Sequence, residues 1–512
     1  MNFVEERSIR LKRILHFRPV FYGFMFLLFG VLFARQIFSG DFDVILSVLL
    51  VATITVLLCC YFNKLKRLLF LTMAFVVGLG LFFAGYADFV GREYDGQVSI
   101  SGRVQDGYYE NETYYRVVLD SVVVNGQKER NVQVYIYKTT SDRLFNTGEI
   151  LTFDAVLKNV ELFTSDGSLF SPYLRNNTPY TANVSESKVT VDDGGLTMSE
   201  TLRENIKDLL DSYMSENGSA VAYASLFGDK GFVIDSIYDI FRDAGLLHLL
   251  AVSGLHVGFL VAILNFVLDK LKVQRIYSFL ITGVILLFYA VLCSFTPSVM
   301  RAAIMCLVVL GSRLFGRQYD GLNSLGISGL LIALASPLTL LDGGFLMSFF
   351  AVFAIFTLHK PLSEFFGKFV ARPIAEPLAL TIVAQIGVLP FLADFYGTVN
   401  FLSIFANLLL VPLFSVMFTL LFIIVVIGLI FPFVGVLLYI VDFLLWLIVW
   451  IAGLFASAKI FIVTLKPMQM IFKLSVLVGI FMCSRFVMIK NQFKALFVSA
   501  IFAFCSVLMI FY

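Results

Sequence analysis

Long apolar runs decide most of what this chain can become. Residues 20–38, 43–62 and 68–87 form three such stretches, each about long enough to cross roughly 30 Å of hydrocarbon as a helix. A second set occupies residues 245–268, 276–293, 298–316, 322–340, 343–358, 374–392, 399–431, 433–457, 468–488 and 495–512. In lipid every backbone N–H and C=O must be satisfied within the protein, so runs of this length read as helices. The chain is 59% hydrophobic and 14% charged, against about 45–50% and about 25% in soluble domains. An ordinary cytosolic enzyme, a disordered scaffold and a disulfide-stapled secreted module are excluded.

The texture changes between Gly91 and about Gly218. Charged and polar residues dominate, and short alternating segments run at 97–104, 113–124, 130–138, 149–160 and 180–191. Asn125-Gly126 between the second and third is a hairpin signal. Five short strands predict a small β-barrel, for which an OB-fold is the commonest fit. A helix is expected next, with Ser199 as its cap and Leu202, Ile206, Leu209, Leu210 and Tyr213 on one apolar stripe. The 399–431 block is too long for one straight span and contains Asn407 and Pro412, which suggests a re-entrant half-helix before a crossing.

The expected fold is therefore a polytopic α-helical membrane protein with one extracytoplasmic all-β, OB-like domain inserted after the third transmembrane helix. Residues 1–90 form a three-helix membrane segment, 91–195 the barrel, 196–244 an amphipathic helical linker and 245–512 a membrane domain of about ten apolar segments. Arg7, Arg10, Lys12, Arg13 and Arg18 precede the first run, and Lys64, Lys66 and Arg67 follow the second. By the positive-inside rule the N-terminus is cytoplasmic and the barrel lies outside. Lys270, Lys272, Arg275, Arg313, Arg317, Lys360, Lys368 and Arg372 agree; Lys459 and Lys466 do not.

No CxxC pair, zinc spacing, HExxH arrangement or GxxxxGK[ST] loop occurs. No cofactor, metal site, nuclease or ATPase activity is expected. The densest polar signal is Gly245-Leu-Leu-His248-Leu-Leu-Ala-Val-Ser253-Gly254-Leu-His256-Val-Gly258. On one continuous helix His248, Ser253 and His256 could face a common cavity, with the two histidines about 12 Å apart, too far to share a metal. The alternative is a small-residue packing seam whose histidines bond neighbouring backbone. Arg301 sits three residues into a span, where a central charge costs about 2.5–3.5 kcal/mol on insertion scales; it either anchors an interface or lines an anion path. Asp342 reads as an N-cap, while Gln385 and Asn407 are polar residues inside apolar segments. Tyr114, Tyr115, Tyr135 and Tyr137 lie on expected strands and could stack bases or pair across strands. Residues 91–218 carry 12 Lys/Arg against 20 Asp/Glu, a poor footprint for strong general binding of a polyanion.

Phe227-Gly-Asp229-Lys, the His248–Val257 segment with Ser253-Gly254, Ser298…Arg301-Ala, Gly344-Phe…Ser348-Phe, Gln385…Pro390 and Asn407-Leu-Leu…Pro412 occur in an order that resembles the ComEC family of DNA-internalisation proteins. The Asp166-Gly-Ser…Ser171-Pro-Tyr-Leu stretch resembles that family's outer OB-like domain. The resemblance implies a channel in the bacterial cytoplasmic membrane that passes single-stranded DNA inward during natural transformation. It also implies an outer DNA receptor, a separate nuclease and a cytoplasmic helicase-type motor as partners, besides membrane lipid. His248, Ser253, Gly254, His256, Arg301 and Ser348 would lie in its competence core. Two departures are expected: no metallo-β-lactamase-like domain follows, and Leu346 stands where a polar residue is anticipated. Rival expectations are a small-solute secondary transporter and an intramembrane His-dependent enzyme.

Overall fold

In the computed structural model, residues 18–39, 65–105, 109–110, 113–139, 145–160, 173, 177–396, 398–458, 462–464 and 470–483 are described. Eight helices among them are long and apolar enough to cross a membrane, and the molecule is a multi-pass membrane protein with a small β-barrel region. The expected spans at 43–62 and 495–512, the basic N-terminal residues before Arg18 and the Asp166–Leu174 stretch apart from Tyr173 lie outside the described residues.

Helix α1 (Pro19–Ser39) and helix α2 (Leu65–Phe89) pack without side chains between them at one level. A Cβ on Gly30 would overlap the carbonyl oxygen of Phe75, and one on Gly78 would overlap that of Leu27. Gly23 meets the ring of Phe70. Partner numbers rise together from Gly23–Phe70 to Gly30–Gly78, so the two helices run parallel. A third parallel helix, α9 (Gly321–Ala335), joins them: Arg18 Nε donates to both carboxylate oxygens of Asp320 at 3.0 and 2.7 Å, and Gly326 and Gly329 lie against Phe21 and Phe24. Small residues permit such approach where hydrophobic burial gives no drive.

The barrel follows α2. Strands β1 (Gln97–Val104), β2 (Tyr114–Val124), β3 (Val132–Tyr137), β4 (Glu149–Asn159) and β5 (Tyr180–Ser185) close in the order 1-2-3-5-4-1, with β3–β5 the one parallel pairing and β6 (Thr190–Asp193) added beside β4. Four of the five expected segments hold closely because alternation is clean: Val98, Ile100 and Val104, then Val117 and Leu119, then Val134 and Ile136 point inward and are buried; the fifth, 180–191, is broken by a 3₁₀ turn at Glu186–Lys188 into β5 and β6. Asn125 and Gly126 take φ values of +49° and +82°, as a type I′ turn requires.

Polar links fix the barrel to α2. The Arg92 amide donates to the Tyr180 hydroxyl at 2.6 Å, Tyr180 donates to Glu129 at 3.2 Å, Tyr94 donates to Glu129 at 2.6 Å, and Arg130 pairs with Asp88. Gly91 has no side chain because the Tyr180 ring occupies that space.

Helix α3 (Met198–Tyr213) is capped by Thr197 rather than by the expected Ser199: Thr197 and Glu200 form a reciprocal capping box, which a Thr-x-x-Glu spacing favours. Arg103 of β1 reaches the Glu200 carboxylate and ties barrel to helix. Burial alone would raise that carboxyl, but the bonds from Arg103 and Thr197 outweigh it and hold it below its ordinary value. A carboxyl depressed on folding contributes stability above its ordinary value of 4.5 and loses it as the pH falls through the depressed value. Glu200→Gln is therefore expected to lower the unfolding temperature at neutral pH and to flatten its acid dependence. Equal acid dependence in mutant and wild type would refute this.

Helix α4 (Glu216–Phe227) is buried on every side from Gly218 onward and lies in a core with α3, α5 (Asp235–Asp243), α12 (Ser403–Gly428) and α13 (Leu438–Ser457). A second helical core joins α1, α9, α10 (Gly343–Phe366), α11 (Arg372–Tyr396) and α14 (Met470–Cys483) through Phe21, Phe24, Phe345, Phe349 and Phe350. A third joins α6 (Gly254–Lys270), α7 (Arg275–Leu292) and α8 (Pro297–Leu314). A short strand pair, β7 (Thr398–Asn400) with β8 (Ile462–Thr464), completes the fold.

The expected re-entrant half-helix at 399–431 is not present. α12 is one continuous helix, about 39 Å long at 1.5 Å per residue, with Pro412 inside it. Asn407 turns its amide back to the Ser403 carbonyl at 2.7 Å, so its polar group needs no break in the helix. A proline is tolerated in an apolar helix where neighbouring groups satisfy the freed carbonyl.

Candidate functional site

Helical geometry is lost between α5 and α6, and most of the polar candidates gather there. Gly245 adopts φ +72°, with its amide on the Arg242 carbonyl and the Leu246 amide on that of Phe241 at 2.7 Å, which ends α5. One 3₁₀ turn, Leu247–Leu249, carries His248. α6 begins only after Ser253. The continuous helix expected through His248, Ser253 and His256 is thus replaced by two elements, and the helical spacing of the histidines does not apply.

Ser253 caps α6: its Oγ accepts the Leu255 amide at 3.2 Å, while Nδ1 of His256 accepts the Ser253 amide at 3.0 Å. An imidazole that accepts at Nδ1 carries its proton on Nε2 when neutral. That Nε2 is buried with no hydrogen-bond partner among the described residues. The ring is fully buried and stacks on Phe418, with centroids 4.2 Å apart, linking α6 to α12. His248 hydrogen-bonds the Gly245 backbone, yet it and Gly245 keep open surface among buried Leu246, Leu247, Leu249 and Leu250.

Arg301 on α8 reaches the same place. It is 5% exposed, its Nε has no partner, and its Nη2 lies 3.6 Å from where a Cβ on Gly254 would stand. No carboxylate pairs with it among the described residues. The turn before α8 holds Ser294 and Phe295 at φ +50° and +51°. Two consecutive left-handed residues other than glycine cost about 1–2 kcal/mol each, and such strain concentrates at functional segments.

A second polar group adjoins Gly245. Gln385 of α11 donates to Ser403 Oγ, Asn407 bonds the Ser403 carbonyl, and the space of a Gly245 side chain is filled by Ser403. Ser403 was not legible as a candidate, although its i,i+4 spacing to Asn407 could have marked it. Asn400 nearby donates to the Asp243 carbonyl at 2.7 Å.

Other candidates fall elsewhere. Asp342 caps α10 by accepting the Phe345 amide at 2.9 Å. Leu346 is buried beside Phe345 and Phe349, which explains an apolar residue there; Ser348 is half-buried, and no described hydrogen bond joins it to the junction. Asp229 pairs with Arg203, so the Phe227-Gly-Asp-Lys segment acts structurally. On the barrel, Tyr114, Tyr135 and Tyr137 form an edge-to-face cluster, with Tyr137 the most open. Tyr115 is different: it is 2% exposed and packs on Phe145, because alternation turns it inward, so it cannot stack a base. Among the described residues no group of three His, Cys, Asp or Glu could hold a metal ion.

A family model described as competence protein matches residues 225–490, a segment that holds the whole junction. The chain belongs to the ComEC competence-protein family. Within curated proteins it is 28% identical to ComE operon protein 3 of Bacillus subtilis over 42% of this chain and 27% of that protein. It is 30% identical to an uncharacterized protein of Mycoplasma pneumoniae over 40% of this chain and 51% of that one. An uncharacterized protein of Aquifex aeolicus is 32% identical over 41% and 50% respectively. The chain thus matches from about a quarter to about half the length of these relatives. No solved structure matches. The family match leaves the barrel outside its bounds and covers α6, α8, α11 and α12, the elements that build the junction.

Proposed function

We propose that this ComEC-family protein forms a conduit through which single-stranded DNA crosses the cytoplasmic membrane during transformation. The observation that carries this reading is Arg301: a cation buried among membrane helices, without a carboxylate partner among the described residues, beside Gly254 at the start of α6. Intramembrane cations are costly and mark ion or substrate paths. A lumen for a polyanion needs few of them, since dense positive charge would hold DNA too tightly to release it. Gln385, Asn407 and Ser403 form an uncharged polar group beside Gly245.

The N-terminus and the Arg18–Asp320 end of α1 and α9 then face the cytoplasm, where Arg313 and Arg317 also lie, and the barrel stands outside. Its strand order, with one parallel pair between the third and fifth strands, fits an OB-like domain. Tyr114, Tyr135 and Tyr137 are its base-stacking candidates. Strand degradation and pulling fall to a separate nuclease and a cytoplasmic helicase-type motor, and delivery to an outer DNA receptor.

Deletion of the gene, followed by separate assays of bound DNA, internalised labelled DNA and transformants, tests the proposal. Binding should persist while internalisation and transformants vanish; normal internalisation would overturn it. Arg301→Ala at wild-type abundance should lower internalisation at least about tenfold, since a hydrogen bond to a charged group contributes about 1.5–3 kcal/mol. Unchanged internalisation would remove Arg301 from the path.

A further inference from the structure

The charges at the start of α6 do not balance. A helix N-terminus carries about half a positive charge, and that of α6 has no acidic residue in its first turn. Arg301 brings a full positive charge to the same point, with Nη2 3.6 Å from the Gly254 Cβ position. Ser253 Oγ satisfies amides of the first turn but supplies no negative charge. A second donor without a partner among the described residues, Nε2 of His256, belongs to that turn, and the buried Arg301 Nε likewise has none among them. Two like charges brought together in a low-dielectric interior repel strongly unless an anion lies between them.

We infer that the Gly254 amide, the first-turn amide that Ser253 Oγ does not accept, and the Arg301 guanidinium form a binding site for one phosphate group, occupied by a backbone phosphodiester of the passing single strand. The assignment rests on the conduit reading and adds to it the chemical group and the place where it is held. A guanidinium fork matches two phosphate oxygens, and helix N-termini bind phosphate through their amides. The missing side chain at Gly254 leaves its own amide approachable; a methyl there would meet Arg301 Nη2 and the Ala302 Cβ at 3.6 and 3.7 Å, which fills the space without overlap.

The test uses the full chain in phosphatidylcholine nanodiscs and a fluorescent 20-nucleotide oligothymidylate, read by anisotropy. Arg301→Gln and Gly254→Ala should each weaken binding about tenfold or more, and Arg301→Gln should reduce the salt slope by about 0.7, the value for one phosphate on a single strand. Arg301→Lys should recover part of the affinity. Inorganic phosphate should compete in the wild type and not in Arg301→Gln, and a methylphosphonate oligonucleotide should bind wild type and variant alike. Unfolding followed through Trp446 and Trp450 shows that each variant is folded. Wild-type affinity and salt slope in both variants would overturn the site. Displacement of the oligonucleotide by phosphatidylglycerol in the wild type and not in Arg301→Gln would assign the site to lipid and equally overturn it. The conduit reading fails on a different result, normal DNA internalisation in the deletion strain.

Discussion

Replacing Gly78 by alanine is expected to destabilise the membrane domain strongly, and Gly30→Ala should do the same. At both positions the obstacle is a backbone carbonyl of the facing helix, Leu27 in one case and Phe75 in the other. A side-chain neighbour can change rotamer; a carbonyl moves only with its helix. Overpacking in a filled core costs about 1–3 kcal/mol, and a rigid neighbour places these substitutions at the upper end. Separation of α1 from α2 would also disturb α9, which packs its own glycines on Phe21 and Phe24. The measurement is thermal unfolding of detergent-purified protein, with Gly80→Ala as the control because nothing lies within 4 Å of its Cβ position. A Gly78→Ala midpoint equal to that of Gly80→Ala would refute the close-packed parallel pair.

Gly245→Ala should be nearly as damaging and should act at the junction itself. Alanine at φ +72° costs about 1–2 kcal/mol, and its methyl would stand 2.5 Å from the Ser403 Cβ. The two costs separate experimentally. Ser403→Gly removes the overlap but not the dihedral cost, so the double variant should be less destabilised than the sum of the singles, as contacting residues commonly are. Additive losses would show that the two residues do not meet. Labelled-DNA internalisation should fall in Gly245→Ala even in the fraction that remains folded, because the His248 ring donates its hydrogen bond to this backbone.

How legible the molecule is from its residues differs by element, for physical reasons. The barrel strands follow from a period-2 pattern that tolerates no slip, since one residue of shift would turn every buried valine outward. Asp342 caps where its spacing says it should. The break between α5 and α6 is concealed because Leu-Leu-Ala-Val is apolar in a helix or out of one, and hydropathy carries no information about hydrogen-bond geometry. The start of α6 is concealed again by His256, which stands at the capping-box position usually held by Glu or Gln. Pro412 misleads in the opposite direction, since membrane helices accommodate prolines that would end helices in water. Tyr115 is the barrel residue where alternation should have decided the matter: its neighbour Tyr114 faces out, so Tyr115 must face in.

The connector between α2 and the barrel has a mechanical meaning. Glu129 is shared by Tyr94 and Tyr180, Arg130 grips Asp88, and Gly91 lies flat on an aromatic ring. Such a joint couples the barrel to the end of α2. Rotation of α2 about its own axis would sweep Tyr114, Tyr135 and Tyr137 through the same angle, and torque applied at those tyrosines would arrive at the seam where Gly30 and Gly78 touch the opposite backbone. Force on the barrel is thereby passed toward the glycine seam.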